Sequence, residues 1–105
     1  TMSDTTHVTS FEDHAKRASV DIPDGFRDQL PFGTGETLAI REESDAVVIE
    51  TDPTYDGARA VLRGTDTGLR LYVDRTVAYE ANLLDADILL TPLDTGLRLE
   101  REDTA

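Results

Sequence analysis

Few residues of this chain are of a type that could do chemistry. His7 and His14 are the only imidazoles, seven apart, with Glu12 and Asp13 beside the second. Two histidines among carboxylates are a divalent-metal pattern, but one that exposed residues reproduce far more often, so no metal or other cofactor is expected. Asp85 and Asp87 lie two apart, and Asp21, Asp24 and Asp28 cluster. Paired carboxylates do acid and base work when burial splits their pKa values. In a chain with 22 Asp plus Glu such pairs arise by chance, and a solvated face is the better reading. Ser3, Ser10, Ser19 and Ser44 sit in no nucleophile elbow. Gly33-Thr34-Gly35 lacks the following Gly-Lys-Ser/Thr of a phosphate loop and leads toward a strand. No enzyme is expected. The basic residues stand out by scarcity: Lys16, Arg17 and Arg27 bracket the stretch 18–26.

The elements that position these residues are short. Val20-Asp21-Ile22 alternates as a strand, and Pro23-Asp24 suits a helix start. Phe26 and Leu30, four apart, give that helix an apolar stripe, and Pro31 ends it. Leu38 and Ile40 alternate with Thr37, Ala39 and Arg41, a Ser44-Asp45 break follows, and Val47-Val48-Ile49 completes a hairpin. Asp-Pro and Asp-Gly punctuate a turn over 51–57. A strand is expected over 58–63, with Ala60 and Leu62 on one face, and another in which Leu69, Leu71 and Val73 alternate with Arg70, Tyr72 and Asp74. Thr76 to Leu84 reads as helix with Thr76 as N-cap, Asp85 to Thr91 as strand, and Leu97 and Leu99 as the last strand.

The ordered set Val20, Ile22-Pro23, Phe26-Arg27, Leu30, Gly35-Glu36, Leu38, Ile40 and Val47-Val48-Ile49 resembles the AbrB/MazE (SpoVT-AbrB) swapped-hairpin family over about a third of the chain. The resemblance implies a dimeric β-barrel type of fold, with DNA as partner and a role as transcriptional regulator or antitoxin. It implies a DNA face at Lys16, Arg17 and Arg27, where Arg27 occupies a position that commonly carries a DNA-contacting arginine. Ser19 and Asp28 stand where better-known DNA binders of that family carry further arginines, and Asp21 and Asp24 add negative charge. The alternative is a protein-interaction module on the same fold with DNA binding lost.

The formal charge is -12, and of ten basic residues only Lys16 is a lysine. Such a chain repels itself at low salt. The composition is like that of proteins from salt-in extreme halophiles. No cysteine is present, so a disulfide framework is excluded. No apolar run approaches the ~20 residues of a membrane span, and a cytoplasmic location is expected.

At 105 residues one domain is expected. The expected fold is mostly β: a compact swapped-hairpin barrel of about seven strands with one or two short helices, over residues 18–101. Residues 1–17 form a partly disordered N-terminal segment, with 6–11 as a preceding edge strand, and 102–105 a tail. Strand, short helix, turn and hairpin recur in 18–51 and 71–101, with Val20 set against Val73, Phe26 against Tyr79 and Leu38 against Leu89. One such unit cannot cover its own hairpin face, so either a monomeric pseudo-dimer or a homodimer would close the barrel.

Overall fold

The computed structural model describes residues 7–52, 57–66 and 68–102, with the side chains of His7 and Asp24 not described. The expected disordered start at 1–6, residues 53–56 of the 51–57 turn and the end of the tail lie outside the described residues. Among those described, nine strands form one antiparallel, nearly closed barrel: β1 (His7–Ser10), β2 (Glu12–Asp13), β3 (Arg17–Ile22), β4 (Thr37–Glu43), β5 (Ala46–Glu50), β6 (Arg59–Thr65), β7 (Gly68–Asp74), β8 (Asp87–Pro92) and β9 (Gly96–Arg101). A 3-10 helix (Asp24–Gln29) follows β3, and α1 (Arg75–Glu80) follows β7. No helix among the described residues is long and apolar enough to cross a membrane.

Alternation in sequence becomes an inside and an outside. Val20 and Ile22, Leu38 and Ile40, Val47 and Ile49, Leu69, Leu71 and Val73, Ile88 and Leu90, and Leu97 and Leu99 all point into one core, each at most 2% exposed. A fully buried aliphatic side chain contributes about 1.5 to 3 kcal/mol, so this layer is the main stabilising element. Ala60 and Leu62 are buried on β6, the face the sequence assigns them.

The sheet order is β1-β8-β9-β5-β4-β6-β7-β3-β2. Its two ends are consecutive pieces of one stretch, separated only by Phe11. That stretch pairs with β8 through His7↔Leu90 to Ser10↔Asp87, and with β3 through Glu12↔Ser19 and Asp13↔Ala18. A barrel that uses its own edges leaves little unpaired backbone. The expected boundary at residue 18 is therefore too late, because His7–Asp13 belongs to the sheet and Phe11 to the core. The out-of-phase spacing of Val8 and Phe11 marks the switch from one partner strand to the other.

The order reads the same backwards when β1/β2 is exchanged with β6, β3 with β7, β4 with β8 and β5 with β9. In the two halves so defined, β1 pairs with β8 of the other half and β6 with β4. Hairpin registers Ile40↔Ile49 and Leu90↔Leu99 correspond. Leu38 then corresponds to Ile88, which is buried, and not to the half-buried Leu89. Tyr79, set against the buried Phe26 in the sequence, is 66% exposed.

Both helices are shorter than the α-helical spacing implies. Phe26 N donates to the Pro23 carbonyl at 2.9 Å, and Leu30, ahead of Pro31, is already extended. Thr76 is not the N-cap of α1: the Asp74 carboxylate accepts from Thr76 N at 2.8 Å. The helix ends early because Asn82 takes a left-handed φ of 63°. Asn82 N then donates to Tyr79 O and Leu83 N to Ala78 O, and Leu83 drops into the core.

Candidate binding surface

The outward residues of β3 and β7 face one another as Arg17↔Asp74, Ser19↔Tyr72 and Asp21↔Arg70. Arg70 organises the middle of this face. Its guanidinium donates to Ser19 Oγ at 2.7 Å and lies 2.7 Å from Asp21 Oδ1 and 3.5 Å from Glu12 Oε1. Ser19 is fully buried, with His14 Nε2 3.0 Å from its hydroxyl. The His14 ring stacks on Tyr72 with centroids 6.4 Å apart. A serine, a histidine and Glu12 do meet here, a grouping the sequence reading did not foresee. Glu12 approaches the same Nε2 that faces Ser19, at 3.5 Å, where a nucleophile's histidine needs its carboxylate on Nδ1. The cluster is a polar seam tying β2 to β3 and β7.

The turn from β2 to β3 is closed by His14 N donating to Arg17 O at 2.8 Å, and it carries Lys16 and Arg17 past the end of the seam. There they line a cleft of 370 Å³ with Ala58, Arg59, Val61, Tyr72 and Asp74. A second hollow, lined by His14, Ala15, Lys16, Arg17 and Tyr72, adjoins it. Two carboxylates near these cations are committed elsewhere. Asp74 caps α1, and Asp13 accepts two hydrogen bonds from Arg75, at 2.6 and 3.1 Å. The Arg75 hydrogen bonds hold the Asp13 carboxyl below its ordinary value and raise the Arg75 pKa in turn. Lys16 and Arg17 side chains make no ion pair among the described residues.

Other arginines are tied down. Arg41 reaches Glu50 and Asp52, and Arg98 reaches Glu43 and Glu100, with hydrogen bonding to Glu43 raising the Arg98 pKa. Arg27 lies in the 3-10 helix, at the opposite end of β3 from Arg17. A six-residue strand spans about 17 Å. The structure thus brings Lys16 and Arg17 together and sets Arg27 apart from them.

Exchange of the halves relates this cleft to a hollow of 240 Å³ lined by Thr9, Ser10, Phe11, Glu12, Asp21 and Arg70. Register Leu38↔Ala60 corresponds to Ile88↔Thr9, so Val61 corresponds to Ser10. The first end carries Lys16, Arg17 and Arg59 with one described carboxylate, Asp74, and the other carries Glu12 and Asp21 with one cation, Arg70.

Among the described residues no three His, Asp or Glu side chains gather as a metal would need. His14 is engaged by Ser19 and Tyr72, and the His7 side chain lies outside the described set. Asp85 is exposed just ahead of β8 and Asp87 at its first position, and Asp28 is exposed on the 3-10 helix. Arg59 and Tyr72 are not legible as companions of Lys16 and Arg17 from their spacing, because β6 and β7 reach them only through strand pairing. Comparison with protein-family models, curated proteins and solved structures finds no match.

Proposed function

We propose that this barrel is a non-enzymatic protein-interaction module. The observation that carries the reading is the dispersal of its cations. Lys16 and Arg17 share one corner, Arg27 stands at the other end of β3, and Arg41, Arg70, Arg75 and Arg98 are bound to carboxylates. DNA affinity grows with the number of phosphates neutralised, and a body of charge -12 offers no continuous track for them. Against a catalytic role, Ser19 is sealed from solvent and its hydroxyl is held by Arg70.

A DNA-binding regulator or antitoxin-like module is the second reading. It is favoured by the pairing of hairpins across the two halves, as the swapped-hairpin resemblance implies, and by the adjacency of Lys16 and Arg17. Selection from random genomic fragments, at 0.1 M and at molar KCl, separates the two. No sequence should be enriched. Enrichment of a sequence motif, lost in Arg27→Ala or in Lys16→Ala/Arg17→Ala, would overturn the interaction reading in favour of DNA.

A further inference from the structure

Resting on the interaction reading, we infer that the cleft between the β2–β3 turn and β6 receives an acidic peptide segment of a partner protein. Charge complementarity names the occupant. In a chain with 22 acids, two adjacent cations would ordinarily be neutralised from within, yet Asp74, directly across the strand pair from Arg17, turns to cap α1, and Asp13 is taken by Arg75. Among the described residues Asp74 borders the cleft but makes an ion pair with neither Lys16 nor Arg17, and a carboxylate from outside completes them. Arginine's fork suits a carboxylate particularly well.

The rest of the lining sets the kind of segment. Val61 and the half-buried Tyr72 give the cleft an apolar wall beside its charged rim, and at 370 Å³ it falls in the size range of small binding pockets, about 300 to 1,000 Å³. An acidic residue flanked by an apolar or aromatic one matches both surfaces. Duplex DNA matches neither the volume nor the surroundings, since Glu12 and Asp21 sit on the same face a few residues away.

The unlike pair of clefts also fixes the stoichiometry. A reader of a two-fold duplex site presents two like faces. Here the counterpart hollow carries Glu12 and Asp21, and its one cation, Arg70, is already paired with both, so an acidic segment is accepted at one end and repelled at the other. One peptide should bind per chain.

The test uses a fluorescein-labelled decapeptide alternating Glu-Asp pairs with Leu and Tyr, a 15-base-pair duplex DNA with the same label, and the whole chain in 0.1 M KCl. Anisotropy should show saturable peptide binding at 1:1. Arg17→Glu should weaken it at least tenfold. Arg98→Glu, an equal change of charge on β9, across the barrel from β7, should change it less than twofold. Amide shift perturbations on the wild type, which need no variant to fold, should fall at Lys16, Arg17, Arg59, Val61 and Tyr72. Absence of peptide binding, equal losses in the two variants, or perturbations centred elsewhere would overturn the assignment of this cleft while leaving the interaction reading in place. Tighter binding of the duplex than of the peptide would overturn both.

Discussion

Asp13 and Arg75 join the closing strand β2 to the start of α1 by two hydrogen bonds. The Asp13 carboxyl titrates below its ordinary 3.8 chiefly because Arg75 donates to it. With the folded value depressed, the unfolded chain takes up the proton first as pH falls. The contribution is therefore complete above the ordinary value and is lost as pH drops through the lower folded one. Asp13→Asn should lower the thermal midpoint at pH 7 and bring a loss that shrinks as the pH falls below the ordinary carboxylate value, which parallel melts of the two proteins would show. Gly96 makes a different demand on its position. A Cβ there would stand 2.1 Å from the Ile49 carbonyl oxygen, a backbone atom in the paired strand that cannot turn aside. Gly96→Ala should cost about 1 to 3 kcal/mol in denaturant unfolding, by overpacking alone.

At the level of elements, α1 is set by its two ends. Asp74→Ala removes the N-cap and should cost about 1 kcal/mol. It also removes a carboxylate from the cationic cleft, so the acidic decapeptide should bind the variant more tightly even as its midpoint falls. The other end needs a residue that tolerates φ 63°, and Asn82 additionally donates to Asp45 Oδ1 at 3.0 Å. Asn82→Ala should be more destabilising than Asn82→Gly, by about 1 kcal/mol, since only the former strains the backbone.

These elements also show how far sequence carries. Strands with strict alternation, such as Leu69 to Val73, were legible because a half-buried strand needs nothing but period two. Helix α1 was placed correctly but extended too far, since Asn82 and the buried Leu83 continue an apolar pattern after the backbone has turned. The Lys16 and Arg17 pair was visible, whereas its separation from Arg27 was not. Residues 16 to 27 are close in sequence, and only the straightness of β3 drives them to opposite ends. Ser19 gave no signal at all, because its burial comes from Arg70, some fifty residues away, crossing the face above it.

For the whole molecule, the excess of carboxylate makes salt a folding variable. Raising KCl from 0.1 to 1 M shortens the Debye length from about 10 to about 3 Å, weakening both the like-charge repulsion and the exposed arginine pairs. With a net charge of -12 the repulsion is the larger sum, so the melting midpoint should rise. Each 1 kcal/mol gained corresponds to about 4 to 8 °C for a chain of this size, and a flat or falling midpoint across this range would show that repulsion does not limit stability. Because the barrel is closed by strands from one chain, sedimentation should find a monomer at both salt concentrations.

The crossing of β1 onto β8 and of β6 onto β4 turns the link between Glu50 and Arg59 into a tether. It keeps two mutually dependent halves in one molecule, at an effective concentration of about the millimolar level. Severed there, the protein would become a two-component system: each fragment unfolded alone, the barrel restored on mixing, and its stability newly dependent on fragment concentration. Folding, a first-order event in the intact chain, would become second order.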